Sequence, residues 1–74
     1  MLVLDTLTTE QLEERDIVSF IGDDGVPDTI VITSLVDEID SVRVFGYSLE
    51  TGDQIDTDFF FDQSFDYYGK AESK

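Results

Sequence analysis

The chain contains no cysteine, no histidine and no tryptophan, a single proline, and only four basic residues. Each shortage removes a class of reading. Without cysteine there are no disulfide staples, and without cysteine and histidine the usual zinc and thiolate sites are absent. A core of apolar side chains must therefore hold the fold, unaided or with a partner subunit. Without histidine, no side chain ordinarily moves protons near neutrality. Ser19, Ser34, Ser41, Ser48 and Ser64 lie in no motif that supplies a base, so no enzyme is expected. No apolar run approaches the length of a bilayer-spanning helix, and the opening MLVLDTLTTEQLEER lacks the basic start and apolar centre of a signal peptide. A soluble, cytoplasmic protein is expected. The shortage of cations has the widest consequence: eighteen acids face four bases, a formal charge of −14 on 74 residues, dispersed along the chain rather than gathered in a tail. Such a surplus repels DNA, RNA and anionic membrane, and points to basic partners.

What is present argues for a folded β protein. Hydrophobic residues make up 41% of the chain, and the β-branched and aromatic ones cluster into strand-length runs, unlike a sequence that cannot build a core. The length suits one small domain, residues 1–74, with 1–6 and 70–74 expected to fray. Thr8 or Thr9 can cap a short N-terminal helical turn, with Gln11 at the capping-box spacing from Thr8 and Leu7 and Leu12 available to pack it down. DIVSFI (Asp16 to Ile21) reads as a strand, GDDGVPD as a turn, TIVITSLV (Thr29 to Val36) as the most β-rich strand, and DEIDS (Asp37 to Ser41) as a tight acidic connection. VRVFGYSLE (Val42 to Glu50) is the next strand, with Gly46 at a bulge or bend, and TGD turns a hairpin.

The stretch Asp53 to Asp66, DQIDTDFFFDQSFD, interleaves five aspartates with four phenylalanines. Read as a strand from Gln54 to Phe61, it puts Ile55, Thr57, Phe59 and Phe61 on one face and Asp56, Asp58, Phe60 and Asp62 on the other. The first face fills a core, and the second carries a row of charge interrupted by Phe60. DQSFDYYG is expected to form a single helical or 3₁₀ turn ending at Gly69.

This layout resembles a small SH3-like antiparallel barrel of the Tudor or chromo-barrel sort, or a strongly bent sheet, of four to five strands. The parts that carry the resemblance are "RDIVSFIGDDG", a long second strand, the hairpin "VRVFGYSLETGDQIDTDFF" and the closing "DQSFDYYG". Four strands can be named; a fifth is either Phe65 to Tyr68 or an edge strand from Met1 to Leu4. The resemblance implies that aromatics at strand ends, among Phe45, Tyr47, Phe60, Tyr67 and Tyr68, could form a cage for a methylated cation with Asp62 or Asp66. The competing reading is that phenylalanines in so small a fold are core.

Two acidic groups, Asp53, Asp56 and Asp58, and Asp23, Asp24 and Asp28, could offer oxygens to calcium, but neither follows EF-hand spacing, and no metal or cofactor is expected. The more economical use of the charge is imitation of a nucleic-acid backbone. Next-but-one residues on a strand are about 6.5–7 Å apart, near the separation of successive phosphates along one DNA strand, so Asp56, Asp58 and Asp62 could imitate a short run. Turn acids Asp23, Asp24, Asp37, Glu38 and Asp40, with Asp53 and Asp66, would extend it, and a homodimer would double it. Phe60, Tyr67 and Tyr68 would add apolar anchors. In size and charge the chain is similar to the small acidic DNA-mimic inhibitors that phages make, which would place it in a host cytoplasm. That resemblance implies binding to a basic nucleic-acid-binding protein, such as an HU-like nucleoid protein or a restriction, CRISPR or transcription factor. The alternatives are an SH3- or Tudor-like reader of a basic peptide, and an acidic structural or assembly protein.

Overall fold

Period-two alternation of apolar and polar side chains gives each strand one face to bury, and six strands use it. The computed structural model describes residues 2–22 and 24–71. Within them, β1 (Asp5–Thr8), β2 (Asp16–Ile21), β3 (Pro27–Asp37), β4 (Ser41–Ser48), β5 (Gln54–Phe60) and β6 (Ser64–Lys70) form one antiparallel sheet in the order β1-β6-β2-β3-β4-β5. The sheet is open, with β1 and β5 as its edges. Its inner face supplies the core: Val18, Ile30, Ile32, Val42, Val44, Phe59 and Phe65, with Leu12 added from the turn after β1. Among the described residues helix is confined to one 3₁₀ turn, Thr9–Gln11, where the Thr8 N–H donates to Gln11 Oε1 at 2.9 Å. Leu12 is buried, and Leu7 packs half-buried against the same cluster.

The sheet is doubled over. Phe59 of β5 stands edge-on to Phe65 of β6 with ring centroids 4.9 Å apart, and equally close to Phe20 of β2. The bend has a local cause at the β3–β4 pair, where the register shifts between Ile32 and Ser34 and leaves Thr33 as the extra residue. Thr33 Oγ1 donates to the Phe45 carbonyl at 3.1 Å, and β3 crosses so close over β4 that a Cβ on Gly46 would overlap the Val31 carbonyl oxygen. Only glycine fits, and the added residue sharpens the local twist.

Three expectations need correction. The strands number six, not four or five, because both candidates for the fifth have counterparts: β6 spans the Phe65 to Tyr68 segment, and the edge strand starts at Asp5 rather than Met1. DQSFDYYG is not a helical turn: the chain turns at Phe61 and Asp62, closed by the Gln63 N–H donating to the Phe60 carbonyl at 3.2 Å, and Ser64 already begins β6. Phe65 then enters the core at 1% exposure and Tyr67 packs beside it, the alternation of a strand laddered to β1 and β2. Phe61 is not core, since β5 ends at Phe60 and the turn carries Phe61 out to 36% exposure. Of the terminal segments 1–6 and 70–74, Asp5, Thr6 and Lys70 belong to strands, while Met1 and 72–74 lie outside the described residues.

One charge is inside. Asp16 is 1% exposed. Its Oδ2 accepts from the Glu13 N–H at 2.8 Å, and its Oδ1 lies 2.6 Å from Lys70 Nζ, an ion pair without hydrogen-bond geometry. Lys70 also reaches Glu13 at 2.9 Å. Asp16 first, and Glu13 second, hold the ammonium protonated well above the ordinary lysine range. The pair clamps the start of β2 to the end of β6, which are directly opposite in the ladder. Beside it, Arg15 takes a left-handed φ of 73°, fixed by its N–H on the Ile32 carbonyl (2.6 Å) and its carbonyl on the Ala71 N–H (2.7 Å).

Gly46→Ala is expected to cost about 2–3 kcal/mol, the upper part of the range for overpacking because the neighbour is backbone, as a lowered urea midpoint with unchanged slope. Lys70→Met leaves the Asp16 carboxylate buried without its cation. Because the ammonium is half in water, the loss should be about 2 kcal/mol rather than the ~3–5 of a fully buried pair. A raised lysine pKa contributes stability that is complete below its ordinary value of 10.5 and lost as pH climbs past it. Wild type should therefore lose this contribution in alkali, whereas Lys70→Arg should keep it, as read by thermal midpoints across that range.

Candidate functional site

Strand alternation sends Arg43, Phe45 and Tyr47 of β4 outward, opposite Asp58, Asp56 and Gln54 of β5. Arg43 does not pair with the aspartate directly across from it. It reaches diagonally, Nε to Asp56 Oδ1 and Nη2 to Asp56 Oδ2, both 2.8 Å, with its guanidinium 5.4 Å over the Phe45 ring. The two-pronged bond holds Asp56 below the usual carboxylate range and keeps Arg43 charged; Asp58 and Glu38 add smaller attractions to the same cation. Asp56 is thus already neutralised.

The row of three carboxylates expected on β5 is shortened from both ends. Asp56 is paired, and Asp62 lies in the turn beyond the strand, off the pleat that sets the regular spacing. Asp58 remains, at the tip where the β3–β4 turn folds beside the end of β5. There Glu38 and Asp40 flank Ile39, and Ser41 is the ladder partner of Phe60. The turn is held by the Glu38 N–H on the Ser41 carbonyl at 2.9 Å and by Ser41 Oγ donating to Glu38 Oε1 at 3.3 Å. A shallow hollow of about 560 Å³ opens there, lined by Glu38, Ile39, Asp40, Ser41, Asp58 and Phe60. Ile39 is 100% exposed and Phe60 60%, while Glu38, Asp40 and Asp58 make no ion pair among the described residues. Phe60 is therefore not covered by the closing turn.

The other expected residues are scattered. Asp37 ends β3 near the tip. Asp53 sits in the β4–β5 hairpin at the far end of β4, where the Ser48 N–H donates to its carbonyl at 2.8 Å. Asp24 shapes the β2–β3 turn by accepting from the Val26 N–H at 3.0 Å, and Asp23 lies outside the described residues. Asp66, Tyr67 and Tyr68 are on β6. Asp66 is exposed, Tyr67 packs against the core, and the Tyr68 hydroxyl shares a 3.1 Å hydrogen bond with Ser19. Among the described residues, the ring–ring contacts join Phe20, Phe59 and Phe65 inside the core, and none joins Phe45, Tyr47, Phe60, Tyr67 and Tyr68 to one another. Nor do three acidic side chains converge there to hold a metal ion. No helix among the described residues is long and apolar enough to cross a membrane.

Comparison with protein-family models, with curated proteins and with solved structures finds no match. The SH3-like and DNA-mimic resemblances thus rest on layout, size and charge.

Ile39 is the surface residue that the sequence reading passed over. Its signal was there: an isoleucine between two acids in a turn has no strand face to pack into. The Arg43–Asp56 pair was hidden for another reason, because it depends on the register of two strands rather than on either one.

Surface carboxylates far outnumber the cations that meet them, so added NaCl should raise the thermal midpoint by screening repulsion. A flat or falling midpoint would mean that specific pairs dominate. Arg43→Gln should lower the midpoint most at low salt, and this difference should shrink as the pH falls below 3.8, where the depressed Asp56 carboxyl loses its contribution.

Proposed function

We propose that the protein is a non-enzymatic, acidic binding module that engages a basic, nucleic-acid-binding protein in the cytoplasm and occupies the surface that otherwise holds nucleic acid. The observation that carries this reading is Ile39, fully exposed beside Phe60 and ringed by the carboxylates Glu38, Asp40 and Asp58, which form no ion pair among the described residues. Acids alone would serve solubility. Two large apolar side chains raised out of the sheet among them serve contact, because burying them in a partner recovers the free energy that their exposure forgoes.

The two kinds of residue have different tasks. Long-range attraction from the −14 charge steers a cationic surface toward the module and makes association fast and salt-sensitive. Once close, Glu38, Asp40 and Asp58 take the places that phosphates occupy against lysine and arginine, and Ile39 and Phe60 fill apolar recesses and slow release. The imitation of DNA is therefore a charged tip with an apolar centre, not a straight row along β5.

Captured at low salt from a bacterial lysate, partners should be basic DNA-binding proteins that elute with duplex DNA; a partner that holds DNA and this chain together would overturn the reading. Ile39→Ser and Phe60→Ser, at positions already in solvent, should preserve the fold and each weaken binding by about tenfold or more. The combined Glu38→Gln, Asp40→Asn, Asp58→Asn variant should instead slow association and flatten its salt dependence, as read by surface-based kinetics.

A further inference from the structure

We infer that the open edge of β5 takes up an extended, lysine- or arginine-bearing segment of a protein partner as an additional strand beside Gln54–Asp58. The inference rests on the proposed preference for a basic protein and specifies how such a protein is held.

Hydrogen-bond direction along β5 fixes which backbone groups are free. The Ser48 N–H donates to the Asp53 carbonyl at 2.8 Å, and the next pair in the ladder is Tyr47 with Gln54. In an antiparallel ladder a residue's N–H and C=O point to the same side, and the side alternates. Asp53, Ile55, Thr57 and Phe59 thus bond toward β4, and Gln54, Asp56, Asp58 and Phe60 point away. The Phe60 carbonyl agrees, since it accepts from Thr9 Oγ1 at 2.7 Å and from the Gln63 N–H at 3.2 Å, neither of them in β4. Thr9 thereby closes the edge at Phe60. From Gln54 to Asp58 the edge faces no strand, because β5 is last in the sheet order.

Beside that edge lies a hollow of about 460 Å³, with Asp58, Phe59 and Phe60 on one wall and Phe20, Ile21 and Gly22 on the other. Ile21 is 64% exposed. An added strand would run its backbone along Asp56 and Asp58, place one cation next to the unpaired Asp58, and set an apolar side chain against Phe60 and Ile21. Asp56 already has Arg43, so the decisive charge contact is at Asp58.

Charge also selects the occupant. A second copy pairing β5 against β5 would bring aspartates face to face, which is destabilising, whereas a cationic segment turns the same positions into attraction. Acids on an edge strand commonly serve only to prevent pairing. Protection accounts for Asp56 and Asp58, but it leaves unexplained a phenylalanine at the end of the same edge and an isoleucine exposed across from it.

The test uses a synthetic peptide that alternates lysine and threonine and ends in leucine, together with the same peptide N-methylated at alternate backbone nitrogens, which blocks strand pairing and keeps the charge. The unmodified peptide should bind at low salt and slow amide exchange at Asp56 and Asp58 by about tenfold or more, and the methylated one should do neither. Asp58→Pro, tolerated because that nitrogen bonds to nothing in the sheet, should lose about tenfold more affinity than Asp58→Asn. Equal binding of the two peptides, or equal affinities of the two variants, overturns edge docking and leaves the charge-based reading intact. Absence of binding by either peptide overturns both. The methylated peptide leaves the protein unaltered, so the outcome does not depend on the folding of the proline variant.

Discussion

The contact between Phe59 and Phe65 is what the rest of the molecule is arranged around. In a flat sheet of this order, β5 and β6 stand four strand spacings apart, about 19 Å at ~4.8 Å each. Their rings are 4.9 Å apart. A single sheet of this size has no second layer to pack against, so it obtains an interior by folding its far side back over its near side. Edge-to-face rings suit that closure because they fill volume and favour the crossed geometry that the bend imposes. The glycine at 46 and the extra residue at 33 are the local terms of the same requirement. So is Phe60: with Phe59 turned inward, the next side chain along the strand must turn outward.

Charge is distributed with similar economy. Of the three described cations, Arg43 and Lys70 each meet a carboxylate, Arg43 on the outer face and Lys70 at the buried Asp16. The remaining acids project from turns and outer strand faces, where water screens them. At the tip two exposed apolar side chains, Ile39 and Phe60, stand among Glu38, Asp40 and Asp58.

Much of this was readable from the residues. The faces of β2, β4 and β5 follow from period two alone: Val18, Val42, Val44 and Phe59 fall inward and Asp56 and Asp58 outward, as alternation requires. Gly46 was placed at a bend because a glycine among β-branched and aromatic residues has no packing reason to be there. What could not be read depends on pairing between distant segments. DQSFDYYG looks like a turn because its aspartates and glycine favour turns locally, and it becomes a strand because β1 and β2 offer it ladders on both sides. Asp16 looks like any acid at a strand start, and it is buried because Lys70 arrives from the other end of the chain. The candidate site was half legible for the same reason: its acids were visible one by one, but the neutralisation of Asp56 by Arg43 and the approach of Asp58 to Glu38, Ile39 and Asp40 are properties of the register.

β6, the last in chain order of the six described strands, sits inside the sheet between β1 and β2 rather than at an edge. During synthesis the ribosome releases the other five strands before the one that joins their two sides, and Phe65 comes with it. Until then the growing chain holds apolar strands with no complete interior to bury them. The acid surplus that burdens the finished fold has a use in that interval, because like charges on successive nascent chains keep exposed strands from finding one another.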